Sequence, residues 1–161
     1  MSPWFEVSNA AEVPSPCLLV YPDRIEENIR RMVAMVDGDT ARLRPHMKTH
    51  KMPEVITLHL KQGVTKFKCA TIAEAEMTAG AGAPEVLLAY PPVGPNIGRF
   101  IALIRKFPPT KFAAVADSED SARALSQAAV AAGLVIETHI DIDCGMHRTG
   151  IAPDDGAVKL Y

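Results

Sequence analysis

Five short apolar runs recur along the chain at intervals of roughly 20 to 26 residues, and each interval carries the signature of a helix. Strands and helices that alternate strictly pair their strands in parallel, because each helix returns the chain to the starting edge of the sheet. Such crossovers are right-handed. The pattern predicts a parallel α/β fold and fits a (β/α)8 barrel as well as a doubly wound sheet. The predicted strands end at His46, Ala70, Tyr90, Ala116 and Ile142.

Helix boundaries are indicated by capping side chains. Asp23 with Glu26 three residues later resembles a capping box at the start of the first predicted helix. Thr71 with Glu74 forms the same pattern after the strand that ends at Ala70. His59 lies between two leucines in the middle of a predicted helix, and its simplest interpretation is a surface or groove residue.

The chemically reactive side chains follow the carboxyl ends of the predicted strands. These positions are Lys48, Thr71, Tyr90, Asp117 and the loop 143–148. The carboxyl ends of parallel strands meet at one face, which is where barrel enzymes build their active sites. The placement therefore favours the barrel over the doubly wound sheet.

The densest cluster of titratable groups is the basic run, residues 44–51, which reads Arg-Pro-His-Met-Lys-Thr-His-Lys. Neighbouring cations disfavour the protonated form of Lys48, and a neutral amine is the nucleophile that Schiff-base chemistry with a carbonyl cofactor requires. A solvated basic loop, or one that binds a phosphate without chemistry, is the alternative. His46 and His50 are four residues apart, but they flank a predicted strand end next to Pro45, which argues against a helical metal pair.

The basic run resembles the signature of the D-threonine aldolase and D-serine dehydratase group, pyridoxal-phosphate enzymes of fold type III. Two further stretches agree with this family in order and spacing: residues 69–76, Cys-Ala-Thr-Ile-Ala-Glu-Ala-Glu, and residues 141–150, Asp-Ile-Asp-Cys-Gly-Met-His-Arg-Thr-Gly. The resemblance extends from about Ser15 to Pro153. It implies that the chain is the N-terminal part of a (β/α)8 TIM barrel of the alanine racemase type.

The resemblance also implies roles for two charged residues. In the family the first lysine of the run carries the cofactor, and that lysine is Lys48 here. Arg148 stands where racemase-like barrels have an arginine that approaches the phenolic oxygen of the cofactor. A planar, permanently charged donor suits that anion. The alternative for Arg148 is an ion pair with Asp141 or Asp143.

Four further residues complete the expected site. Thr71 and Tyr90 are expected to contact the cofactor, although a buried strand-end position is equally open for Tyr90. His46 and His50 are expected to transfer protons or to pack around the cofactor. The family's metal ligands and its glycine-rich phosphate-binding loops come from later parts of the chain and have no counterpart in these 161 residues.

The resemblance implies a pyridoxal-phosphate-dependent lyase acting on D-3-hydroxy amino acids, most simply a D-threonine aldolase that releases glycine and acetaldehyde. A D-serine dehydratase-like enzyme, an amino-acid racemase and a non-catalytic pyridoxal-phosphate-binding protein are the alternatives. A divalent metal (Mn, Mg or Zn) and a homodimer are expected for the full-length enzyme.

The length supports one domain but falls short of a whole barrel, which needs about 250 residues. Residues 1–22 are expected to form a leader with a strand, Cys17–Tyr21, that joins a β domain, and residues 23–161 an incomplete barrel.

A net charge of −2 and 48% hydrophobic residues are typical of an ordinary soluble protein, with no indication of nucleic-acid or membrane binding. Without a signal segment, and with three cysteines lacking any CxxC spacing, a cytoplasmic protein without disulfides is expected.

Overall fold

The computed structural model describes residues 3–161 and places a parallel β-sheet beneath a layer of helices. The strands are β1 (Lys66–Cys69), β2 (Glu85–Leu88), β3 (Lys111–Ala116) and β4 (Glu137–Ile140). The helices are α1 (Pro22–Ala34), α2 (Pro53–Lys61), α3 (Ile72–Gly80), α4 (Pro95–Lys106), α5 (Glu119–Ala132) and α6 (Asp155–Leu160). Short 3-10 turns lie at Ala10–Glu12, Thr40–Arg42 and Met47–Thr49.

The strands lie side by side in chain order, β1-β2-β3-β4, and every pair is parallel. A fifth segment precedes them, because His46 forms a parallel bridge with Lys68, and the Lys68 amide donates to the Pro45 carbonyl at 3.0 Å. A doubly wound sheet reverses its strand order at a switch point, whereas a barrel adds each strand beside the last. The order of these five segments is that of a barrel.

The outer face of the sheet forms the core with the helices. Phe67, Val86 and Phe112 stand in one row across β1, β2 and β3 and are almost completely buried. Phe100 of α4 packs edge-to-face on Phe112, with ring centroids 6.1 Å apart. Burying each such side chain contributes about 1.5–3 kcal/mol. These contacts fix the helices on the sheet and therefore the directions in which the strands end.

The inner face of the sheet is charged near the amino ends of the strands. Glu85 stands between Lys66 and Lys111 in the strand register. It forms an ion pair with Arg44, and Lys111 forms another with Glu137. In a closed barrel this face is the interior, so alternating charges line its lower end.

Two predictions of local structure at the amino end are not matched. Cys17–Tyr21 is not assigned as a strand, because a strand needs a pairing partner and the described residues provide none. Whether this segment joins a β domain stays a prediction. The prediction of a capping box at Asp23 is wrong, since Tyr21 is the N-cap. Pro22 takes the first helical position, for which its fixed φ is suited.

The capping prediction at Thr71 is confirmed, because its hydroxyl oxygen accepts from the Glu74 amide at 3.1 Å. The prediction that His59 is a surface residue is wrong, since it is only 7% exposed, whereas the groove alternative agrees with its place in the lining of a cavity between the leader, α1 and α2. Its Nδ1–H donates to the Val55 carbonyl at 2.8 Å, and Phe67 meets the imidazole edge-on. The helix turns His59 towards the sheet, so that the ring belongs to the core.

Candidate active site

The basic run leaves the sheet at its carboxyl edge and turns Lys48 outward. His46 is the last paired residue, and its Nδ1 accepts a hydrogen bond from the Lys48 amide at 3.2 Å. Met47, only 1% exposed, anchors the following 3-10 turn in the core. Lys48 is exposed, and within residues 3–161 its ammonium group makes no hydrogen bond or salt bridge. The fold therefore presents this amine freely at the carboxyl ends of the strands.

His46 stays neutral beside Lys48. Burial lowers the pKa of His46, the charges of Lys48 and Lys68 lower it further, and the carboxylate of Glu74 opposes them. Since Nδ1 accepts from a backbone amide, the proton of the neutral ring resides on Nε2. His46 is thus a hydrogen-bond donor at Nε2 near neutral pH.

His50 lies on the opposite side of the run, in the helix layer. Its Nδ1 accepts from the Met52 amide at 3.0 Å, and its ring lies 6.3 Å from that of His59. Burial lowers the pKa of His50, and His59 lowers it further. His50 lines an apolar cavity of about 540 Å³ between the leader, α1 and α2. His50 therefore lines a cavity on the helix side, which Lys48 does not line.

Thr71 and Tyr90 share a cavity of about 490 Å³ at the carboxyl ends of β1 and β2. Tyr90 is 56% exposed, so it is not the buried strand-end tyrosine that the sequence left open. Asn96 and Arg99 of α4 line the same cavity, where an Arg99 N–H donates to the Asn96 side-chain oxygen at 3.1 Å. Sequence reasoning missed these two residues, and their place in the first turns of the helix after β2 is the signal that points to them.

The loop 141–150 is organised by Asp143. One of its carboxylate oxygens accepts from the amides of Gly145 and His147, both at 2.9 Å, and the other contacts His147 Nδ1 at 2.8 Å. These bonds hold the pKa of Asp143 below its usual range, and the bond from the His147 amide has the largest effect. In the described part of the chain Asp143 and Asp141 form no ion pair with Arg148, whose side chain is exposed.

The ends of this loop are joined by backbone pairing. The Ile151 amide donates to the Asp141 carbonyl and the Asp143 amide to the Ile151 carbonyl, both at 2.9 Å. Gly150 has φ +97°, and a Cβ there would lie 2.6 Å from the Asp143 nitrogen. Asp117, at the end of β3, accepts from the Gly150 amide at 3.3 Å. A glycine is required at position 150, and Asp117 fastens the closed loop to the sheet.

Lys48 and Arg148 follow the first and the last of the five parallel segments. With a strand spacing of about 4.8 Å, the two segments that they follow are roughly 19 Å apart along the sheet. In a closed eight-stranded barrel, however, the first and fifth strands stand opposite each other around the axis. The two cationic side chains therefore belong to opposite sides of one barrel mouth, with Thr71, Tyr90 and Asp117 between them.

Two further observations concern residues 3–161 as a set. No group of three or more His, Cys, Asp or Glu side chains among them is arranged to hold a metal ion. Of the helices described, none is both long enough and apolar enough to cross a membrane.

Comparison with known proteins identifies a family. Residues 20–161 match the model of the alanine racemase N-terminal domain. The chain is 31% identical over 144 residues to a D-threonine aldolase from Arthrobacter sp, covering 89% of this chain and 38% of the relative. It is 30% identical over 146 residues to the D-threo-3-hydroxyaspartate dehydratase of Delftia sp. (strain HT23), covering 91% of this chain and 38% of the relative.

A solved structure supports the same relationship. The crystal structure of D-threonine aldolase from Filomicrobium marinum superposes with a TM-score of 0.84 at 31% identity, covering 94% of this chain and 40% of that one. The barrel predicted from the sequence is thereby confirmed. The chain spans about two fifths of the length of the curated relatives that it matches.

Proposed function

This chain belongs to the family of the alanine racemase N-terminal domain, and from that membership we propose that it forms the cofactor-binding part of a pyridoxal-phosphate-dependent lyase. The observation that carries the proposal is Lys48, an exposed amine without a salt bridge among residues 3–161, on a turn anchored by Met47 at the carboxyl ends of parallel strands. A free amine in this place suits covalent attachment of an aldehyde cofactor.

The residues present fit pyridoxal phosphate. Lys48 offers the amine for its aldehyde, and the exposed guanidinium of Arg148 suits its phenolic oxygen. Thr71 and Tyr90 offer hydroxyl groups in one cavity at the carboxyl ends of β1 and β2. When bound, the cofactor supplies an electron sink for cleavage of bonds at the α-carbon of an amino acid.

Other side chains of the protein offer hydrogen-bond donors or hold the loop at the site in position. His46 keeps its Nε2–H available as a donor, since its Nδ1 accepts from the Lys48 amide. That bond also fixes the orientation of the imidazole relative to the lysine backbone. Asp143 organises the loop that carries Arg148, and Asp117 ties this loop to β3. The expected proton transfer by His50 is not supported by its position in the helix-side cavity.

The proposed substrates are D-3-hydroxy amino acids, because the relatives include an aldolase and a dehydratase named for substrates of this class. In the aldolase reaction the bond between the α- and β-carbons of D-threonine breaks, and glycine and acetaldehyde leave. In the dehydratase reaction the α-proton and β-hydroxyl leave as water, and hydrolysis of the product releases ammonia and a 2-oxo acid. Aldol cleavage of D-threonine is our first proposal and dehydration the second.

We also propose that the complete protein uses a divalent metal (Mn, Mg or Zn), is a homodimer and is cytoplasmic. Residues 1–22 are proposed to connect the barrel to a β domain.

The test uses the protein that contains this chain, incubated with pyridoxal phosphate and Mn²⁺. D-threonine, L-threonine and D-threo-3-hydroxyaspartate are offered separately, and glycine, acetaldehyde, ammonia and 2-oxo acids are quantified. We expect glycine and acetaldehyde in equal amounts from D-threonine only, and no product from a Lys48→Ala variant. Ammonia with a 2-oxo acid would favour the dehydratase, and no product from any substrate would contradict both.

A further inference from the structure

The carboxylate of Glu74 is buried at the base of the basic run. Glu74 lies in the first turn of α3 and is only 5% exposed. One of its oxygens accepts from the Ala70 amide at 2.8 Å, and the other lies 3.4 Å from the Lys51 ammonium. Charged side chains are rarely buried to this extent unless they are paired and hydrogen-bonded. The two contacts connect the β1–α3 turn to the end of the basic run.

Lys51 closes the turn that presents Lys48. Its amide donates to the Met47 carbonyl at 3.1 Å, and its backbone has φ +52°. A lysine rarely adopts this left-handed conformation, so the position requires support from its surroundings. Met47 holds the start of the turn in the core, and the ion pair with Glu74 holds its end.

The ion pair also distinguishes two lysines that stand three residues apart. The Lys51 ammonium is held against Glu74, whereas the Lys48 ammonium has no such contact among the described residues. Glu74 additionally acts on His46, where its carboxylate opposes the charges of Lys48 and Lys68. One buried carboxylate thus influences two members of the run, Lys51 and His46.

We propose that Glu74 is the positioning residue of the basic run: by holding Lys51 it fixes the turn, so that Lys48 and not Lys51 is the amine offered to an aldehyde. The inference rests on the proposed function for the identity of that aldehyde. The anchoring itself depends only on contacts within this chain. Glu74 does not touch the reacting atoms.

Glu74→Gln tests the proposal with little change of shape, because the amide oxygen can still accept from the Ala70 amide while the ion pair is lost. Glu76→Gln is the matched control. Glu76 lies two residues later in the same helix, is about half exposed, and pairs with Lys106 at 2.6 Å, away from the basic run. If Glu74→Gln fails to fold, Lys51→Gln removes the same ion pair by replacing its exposed partner.

The first readout needs no cofactor. Hydrogen exchange of the amide at position 51 is expected to accelerate about threefold to fivefold in Glu74→Gln and in Lys51→Gln. This factor corresponds to the stabilisation that a partly exposed ion pair contributes. The pKa of His46, followed by NMR, is expected to fall further in Glu74→Gln. Glu76→Gln is expected to change neither quantity. Unchanged exchange in both Glu74→Gln and Lys51→Gln would overturn the proposal.

The second readout locates the reactive amine. Pyridoxal phosphate is added, trapped with borohydride, and the pyridoxyl label is mapped by peptide mass spectrometry. We expect the label on Lys48 alone in the unmodified protein and in Glu76→Gln, but divided between Lys48 and Lys51 in Glu74→Gln. Label confined to Lys48 in Glu74→Gln would contradict the role of Glu74. No label on either lysine of the unmodified protein would instead contradict the proposed function, and the exchange result would still decide the anchoring.

Discussion

Replacing Gly150 with alanine should open the loop that carries Arg148. The new Cβ would lie 2.6 Å from the Asp143 nitrogen, 2.9 Å from the Ile142 carbonyl carbon and 3.2 Å from the Asp141 oxygen. All three are backbone atoms, which cannot move aside as a flexible side chain can. The bonds that join Ile151 to Asp141 and Asp143 are therefore expected to break.

The size of the effect follows from two contributions. An alanine at φ +97° costs about 1–2 kcal/mol in backbone strain. Loss of two backbone hydrogen bonds adds about 1 kcal/mol each. The closed conformation of the loop should thus be destabilised by about 3–4 kcal/mol relative to the open one.

Gly145 provides the matched control because it lies in the same loop with φ +110° and has no atom within 4 Å of an added Cβ. Gly145→Ala should cost only the strain, about 1–2 kcal/mol. Amide hydrogen exchange at Asp143 and Ile151 measures loop opening, and urea unfolding measures global stability. Equal acceleration of exchange in the two variants would refute the steric argument, because strain alone would then account for both.

Three further predictions concern titration and the cofactor. Burial raises the pKa of Cys69 to about 11, so the free energy of unfolding should fall by about 2–3 kcal/mol as pH rises from 9 to 11, a loss that Cys69→Ala removes. Burial lowers the pKa of His59, so this residue stabilises the fold above about pH 6.5 and progressively less as pH falls; urea unfolding should show a smaller loss between pH 7 and 5 in His59→Gln. Arg148→Ala should shift the visible absorption of bound pyridoxal phosphate to shorter wavelength or make it pH-sensitive, and an unchanged spectrum would contradict a contact with the phenolic oxygen.

The sequence was sufficient for the barrel because its signals are local and repeated. Apolar runs predict strands wherever a helix layer buries them, and β3 appears with the predicted bounds Lys111–Ala116. Thr71 caps α3 as predicted, since the bond to the Glu74 amide depends on only three intervening peptide units. Cys17–Tyr21 failed because strand formation requires a partner that apolarity alone does not identify.

The site was harder to predict because it depends on which way each side chain points after the strand ends. Spacing placed His46 and His50 in one run, but the turn at Met47–Thr49 directs them to different layers. The burial of Glu74 was not predicted either, because a residue of a capping box is usually solvated. The burial of His59 was not predicted, because two neighbouring leucines do not reveal which face of α2 meets the sheet.

The central claim is that Lys48 carries pyridoxal phosphate. The most direct measurement is borohydride trapping of the protein with pyridoxal phosphate, followed by peptide mapping, with Lys48→Ala and Lys51→Ala compared in parallel. Because Lys48 is exposed and makes no hydrogen bond through its ammonium among residues 3–161, Lys48→Ala should keep the native circular dichroism and urea midpoint. We predict label on Lys48, no label in Lys48→Ala, and undiminished label in Lys51→Ala; label that persists in a folded Lys48→Ala protein would contradict the claim.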